Sequence, residues 1–125
     1  MLIQGTGEVR AGIWSRSVCI KEGFQTGSML PFITKCIEKD VAVLVMNPNE
    51  NLKDSKLIAG SETMQKHAVY VWNRFVKESG FTDISVVAHS AGGACLSAIL
   101  STFKDSFFEQ VKSIAYTDSW VVDKS

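Results

Sequence analysis

The segment Val86-Val87-Ala88-His89-Ser90-Ala91-Gly92-Gly93 decides how this chain is read. An apolar run beginning at Ile84 leads into it. A helical pattern from Ala91 to about Phe103 leads out, with Cys95, Ala98, Ile99 and Thr102 on one side. Strand, sharp bend, helix is the setting in which a small-x-Ser-x-Gly sequence lifts a serine hydroxyl above a sheet. The bend is so tight that the positions two before and two after the serine must be small, and Ala88 and Gly92 meet that demand. Ser90 is therefore the expected nucleophile position, in front of a helix N-terminus whose dipole favours negative charge. The amide of Ala91 would supply one oxyanion donor. The loop after an upstream strand, around Thr6 and Gly7, would supply the second. In the bland alternative Gly92 and Gly93 only let helix and sheet pack closely, which keeps the fold and removes the chemistry.

Working outward, the same alternation continues. Leu2-Ile3 reads as the end of a buried strand, followed by a glycine-rich loop from Gly5 to Gly12. Ser28 is placed to cap a helix from about Met29 to Asp40, with Pro31 in its first turn and Phe32, Ile33, Cys36 and Ile37 on one face. Val41 to Met46 is a continuous apolar run ended by Asn47-Pro48-Asn49, the pattern of a strand buried on both faces. A polar loop from Asn49 to Gly60 precedes a helix capped by Ser61, carrying Met64, Ala68, Val71, Trp72 and Phe75, and closed by Gly80. Ser113 to Thr117 is a last strand, ending at Asp118. The order β-α-β-α-β-α-β predicts a parallel sheet of about four strands flanked by helices. With the serine bend, this is a partial α/β-hydrolase-like three-layer sandwich. Residues 1–125 read as one domain that begins inside its own core strand and is incomplete at both termini, with bare sheet edges at 41–46 and 113–117.

A serine of this kind needs a base, and the base needs an orienting acid, in the chain order Ser, acid, His. Asp118 leaves the same carboxyl edge of the sheet and is a candidate acid or, equally, a turn residue with Ser119. The histidine is missing. Only His67 and His89 exist. His89 precedes the serine, so its side chain should diverge and serve packing or hydrogen bonding. His67 falls in the helix before the elbow strand and reads as a partly exposed helix residue. Loss of a triad member costs several orders of magnitude in rate, so the chain reads as a non-enzyme.

Composition narrows the classes further. Lys plus Arg and Asp plus Glu balance at 13 each, so no global charge draws the chain onto nucleic acid or a membrane. Cys19, Cys36 and Cys95 are odd in number and far apart, which suggests neither a disulfide framework nor a metal site. No secretory signal and no apolar run of spanning length is present. Gly5-Thr6-Gly7 lacks the third glycine of a dinucleotide fingerprint, since Arg10 stands there. Gly7 to Gly12 has phosphate-loop spacing with Ile13 where lysine is required. Arg10 and Arg16 are anion-binding candidates, set against the favoured reading as loop salt bridges or solvated charge. Trp14, Trp72 and Trp120 read as core or half-buried residues. No cofactor and no metal is expected.

Several blocks in one order resemble a known family: Leu2-Ile3-Gln4-Gly5, Val9-Arg10-Ala11-Gly12-x-Trp14, Pro31-Phe32-Ile33, Asn47-Pro48-Asn49-Glu50-Asn51, His67-Ala68-x-Tyr70-Val71-Trp72, the elbow segment and Thr117-Asp118-Ser119. They are similar to the Arb family of Argonaute-binding cotranscriptional regulators. The resemblance implies an α/β-hydrolase-like fold and nuclear location, with cytoplasmic presence left open. It also implies a role with Argonaute, small RNA (siRNA), chromatin or splicing proteins in heterochromatin formation or alternative splicing. At the position of Ser90 it implies a candidate nucleophile, here a vestigial one. Family members typically carry His-Gly where this chain has Gln4-Gly5, a longer loop after Asn51, and further strands on both sides. The expectation is a short, non-catalytic nuclear regulator. The alternatives are a serine esterase or acyl hydrolase using Ser90, and an unstable truncated paralogue.

Overall fold

In the computed structural model, which describes residues 1–119, the centre of the sheet is the elbow strand itself. Ile84–His89 (β4) pairs in parallel with Leu2–Ile3 (β1) on one side and with Val111–Thr117 (β5) on the other. Register runs Leu2 to Val87 and Ile3 to Ala88, then Val86 to Ile114 and Ala88 to Tyr116. The sheet therefore has the order β1-β4-β5. Between these strands lie helices Arg16–Glu22 (α1), Phe24–Gly27 (α2), Leu30–Glu38 (α3), Met64–Val71 (α4), Gly92–Thr102 (α5) and Lys104–Gln110 (α6), and a short hairpin of Leu52–Lys53 (β2) and Lys56–Leu57 (β3).

The expected four strands become three. Val41 to Met46 does not form a strand. It touches the sheet through one bridge, Leu2 to Val45, with Leu2 N donating to Leu44 O at 2.8 Å and Met46 N to Leu2 O at 3.0 Å. The reason is the partner: β1 is two residues long and offers one place to pair. The stretch expected as a polar loop holds the β2–β3 hairpin, whose two central residues, Asp54 and Ser55, both take positive φ (51° and 65°). That is the geometry of the tight turn that suits strand twist.

The helix predicted to start at Ser61 starts at Met64, because Thr63 Oγ1 takes the Lys66 amide and caps it. It passes at Trp72–Val76 into a single π-helical turn. Ser28, expected as the cap of α3, instead closes α2, donating to Phe24 O and accepting from the Leu30 amide at 3.2 Å, while Met29 takes the N-cap position of α3. Helices α1 and α2 were not anticipated. Ser15 caps α1, and Gly27 allows α2 to close on it: a Cβ there would sit 2.5 Å from the Cys19 nitrogen. Helix α6 follows α5 directly and was not separated from it in the pattern.

The core lies on one face of the sheet. Ile3, Val86 and Ala88 meet Ala68, Trp72, Cys95, Leu96, Ile99 and Phe107 there. The indole of Trp72 is fully buried and donates to Ser106 Oγ at 3.1 Å. Trp14 is half-buried, and Trp120 lies outside the described residues. On the opposite face α3 buries no residue, and it faces Leu2 and Val87 across an open apolar groove. No helix among the described residues is long and apolar enough to cross a membrane.

Candidate functional site

Ser90 follows β4 directly, with Ala91 between it and α5, and takes a φ of +53°, the left-handed region that a serine rarely enters. Three backbone-directed bonds hold it there. Its amide donates to Thr117 O at 3.0 Å, its carbonyl accepts from Gly93 N at 3.2 Å, and Ser119 Oγ donates to that carbonyl at 2.7 Å. The end of β5 is thus stitched to the bend, and Asp118 sits between the two stitching residues, exposed and itself at φ of +45°.

Two glycines make room. A Cβ on Gly92 would lie 2.7 Å from Ile3 O and 3.2 Å from Gln4 O, so α5 approaches β1 more closely than any side chain permits. A Cβ on Gly5 would lie 2.9 Å from Ser90 Cβ and 3.4 Å from its Oγ. Gly5 is therefore the loop residue pressed against the serine. Of the expected donors on that loop, Thr6 lines the cleft in front of Ser90, whereas Gly7 is exposed with φ of +122° and is not among the lining residues. Ala91 is buried and is the N-cap residue of α5.

The cleft measures about 300 Å³ and is bounded by Gly5, Thr6, Trp14, Arg16, His89 and Ser90. Arg16 forms an ion pair with Glu8 at its mouth, both exposed. Arg16 thus takes the loop salt bridge of the favoured reading, rather than the anion-binding role. Asn49 orients the loop: its Nδ2 donates to Gly5 O at 2.7 Å and Val9 O at 3.0 Å. Asn47 Oδ1 accepts from Ala11 N, and Asn51 Nδ2 donates to Pro48 O and Ser61 O. The alternation of three asparagines around Pro48 is the available signal for this brace, although in sequence it marks only the end of the apolar run.

Both imidazoles are engaged. His89 lines the same cleft but bonds Thr117 Oγ1 through Nδ1 at 3.0 Å, and its ring meets Trp14 edge-on at 6.1 Å. His67 accepts from Asn47 N at Nε2 and meets Ser61 Oγ at Nδ1, each at 3.1 Å. Ser61 gives its own proton to Glu50 O. The imidazole proton must then sit on Nδ1, and the ring is neutral. Burial lowers its pKa from the ordinary 6.5. His67 is the partly exposed helix residue expected, and its two ring nitrogens also make it the node joining α4 to the asparagine brace. Burial pushes the Cys95 thiol up to about 12, which makes it inert at neutral pH. Among the described residues no group of His, Cys, Asp and Glu gathers in a way that could hold a metal ion.

These features define a mixed α/β protein with a parallel sheet and a strained serine at the turn from its central strand into a helix. The chain belongs to the Arb2 domain family, which it matches over residues 1–57 and 51–125. It is 30% identical over 152 residues to a cotranscriptional regulator ARB2A homolog of Dictyostelium discoideum, covering 95% of this chain and 40% of that protein. It is 36% identical over 119 residues to a FAM172 family protein homolog of Caenorhabditis elegans, covering 95% and 37%. To the human cotranscriptional regulator ARB2A it is 26% identical over 171 residues, covering 95% and 41%. The chain thus spans about two fifths of the length of these relatives. The Dictyostelium and human matches are longer than the stretch of this chain they take up, so those relatives carry extra residues inside the span. The two family matches meet at 51–57, the β2–β3 hairpin. No solved structure matches the chain.

Proposed function

We propose that the chain is a non-catalytic interaction module of a nuclear regulator, built on an α/β-hydrolase-like frame whose serine has lost its base. One observation carries this. The bend at Ser90 is held by Thr117 and Ser119, while His67 and His89 are both engaged with other partners. A serine hydroxyl without a neighbouring base stays protonated and is a poor nucleophile. The names of the relatives, cotranscriptional regulators, support the regulatory reading. Within it, the partners are proteins of the Argonaute, chromatin or splicing machinery. Balanced charge gives no support to direct siRNA contact. Asp118 and the donors Thr6 and Ala91 are remnants of a former catalytic edge.

A fluorophosphonate probe tests the first half. The expected result is no labelling above the Ser90→Ala background, and stoichiometric labelling lost in Ser90→Ala overturns it. Affinity capture from nuclear extract, with a full-length relative alongside, tests the second. Recovery of silencing or splicing factors by the relative and none by this chain overturns the regulatory role. The φ of Ser90 and the close approach of Gly5 favour one second reading, a serine acyl hydrolase completed by an imidazole from another chain. The same probe separates the two. Cooperative unfolding of a monomer followed by circular dichroism excludes an unstable chain.

A further inference from the structure

A chain of hydrogen bonds leads from one titratable ring, that of His67, to the cleft in front of Ser90. Asn47 N donates to His67 Nε2 at 3.1 Å. Through its side chain the same Asn47 accepts from Ala11 N at 3.1 Å. Two residues on, Asn49 Nδ2 holds Gly5 O at 2.7 Å and Val9 O at 3.0 Å. Gly5, Thr6, Glu8 and Val9 form one wall of the cleft. This loop has open joints at Gly7 and Gly12, where φ is 122° and 95° and no atom lies within 4 Å of the place of a Cβ. A further tie, the pair of Glu8 with Arg16, is exposed on both sides and contributes little.

The ring holds this chain together in one protonation state only. A backbone N–H always donates, so Nε2 must accept. A proton on Nε2 would set two donors 3.1 Å apart with no acceptor between them. The Nδ1 proton is already committed to Ser61 Oγ, which gives its own to Glu50 O. The ionisable groups around the ring do not reverse this. The Glu50 carboxylate accepts from Asn47 Nδ2, Glu62 pairs with Lys66, and Tyr70 lies against Gly60. From α5 the neutral Cys95 thiol donates to Met64 O. Burial outweighs them all and lowers the His67 pKa from the ordinary 6.5.

We infer that His67 is a proton-operated latch on the cleft: protonation breaks its bond to Asn47, the asparagine brace releases residues 5–11, and the wall beside Ser90 loosens. Neutral His67 is thus a positioning residue for the cleft. By linkage the preference runs both ways, so a braced loop also holds the proton off the ring. The inference goes beyond the module reading and concerns the shape of the cleft, not the reactivity of Ser90. Fluorophosphonate labelling, whichever way it falls, leaves it standing.

Nuclear magnetic resonance of the whole chain, titrated from about pH 8 to 5, tests it. The rings of His67 and His89 report their own midpoints. The backbone amides of Thr6, Ala11 and Asn47 and the side-chain amide of Asn49 should shift with the His67 midpoint, below 6.5. The Ala11 amide, losing its Asn47 acceptor, should exchange with solvent about fivefold faster below that midpoint, after correction for the intrinsic rate. His67→Gln should abolish the shared titration. His89→Gln, which removes the other ring from the cleft wall, should leave it in place. If His67→Gln does not fold, the two ring midpoints of the unmodified chain and the His89→Gln titration still assign the transition. Loop resonances that ignore the His67 midpoint, that follow His89, or that still titrate in His67→Gln overturn the proposal. So does simultaneous loss of protection at Leu96 and Ile99 in the core, which would make the event acid unfolding of the whole chain.

Discussion

At position 90 the backbone carries a cost that the local sequence cannot remove. Left-handed φ for a residue with a Cβ costs about 1–3 kcal/mol, and the bonds from Thr117 and Ser119 over-determine it. Ser90→Gly should therefore raise the unfolding free energy in urea by about 1 kcal/mol. A fall would mean that the hydroxyl contributes contacts outweighing the strain. Gln4 is a second residue at odds with its surroundings. It is wholly buried, and among the described residues neither Nε2 nor Oε1 has a partner. An unsatisfied buried polar group costs about 1–3 kcal/mol, whereas an apolar side chain of similar shape does not. Gln4→Met should stabilise the chain in the same assay, and a loss of stability would point to bonds that the amide makes through water.

Between elements, the tightest contact is that of α5 on β1. Gly92→Ala pushes a methyl against the carbonyls of Ile3 and Gln4, at and just past the end of β1, which are backbone and cannot swing aside. A loss of about 1–3 kcal/mol is expected, read as a lower urea midpoint at unchanged slope. The joint of α4 with the asparagine brace is pH-dependent. The folded state binds the His67 proton only below the ordinary 6.5, while the unfolded chain binds it near that value. The unfolded state thus holds more protons in the window beneath 6.5. The contribution of the neutral ring is complete above 6.5 and is lost as pH falls toward the folded pKa. His67→Gln should be less stable at neutral pH and show a flatter stability curve across this window. An unchanged slope would place the titration elsewhere.

For the molecule as a whole, the sheet is dry on one face and thinly covered on the other. Strand β5 is at its edge, with Ile114 and Tyr116 37% and 41% exposed and a single charge, Lys112, along its length. Weakly charged edges of this kind template pairing with other chains. The chain should self-associate as concentration rises, and Ile114→Lys should suppress this without loss of secondary structure. Sedimentation velocity and far-ultraviolet circular dichroism give the two readouts. Equal association of both proteins would place the sticky surface elsewhere.

Much of this was legible from one chain. The turn from Ile84 to Gly93 could be read because its demands are local: an apolar strand, small residues on either side of a serine, and a helix start all lie within ten positions. The start of α3 was legible to within a residue for the same reason, Pro31 lying in its first turn, although Met29 and not Ser28 holds the N-cap position. Family membership followed from blocks spread along the chain in a recognisable order. What the tertiary structure alone decided depends on partners distant in sequence. Val41 to Met46 has the composition of a strand, yet β1 is too short to pair with it. Gly5, not Gly7, presses on the serine because Asn49, more than forty residues away, holds its carbonyl. His67 gives both its nitrogens to residues in the preceding loop, and no periodicity reports where a ring nitrogen points. Propensity and spacing act over a turn or two of chain, whereas hydrogen-bond partners and open faces are set by which segments the packed sheet brings together.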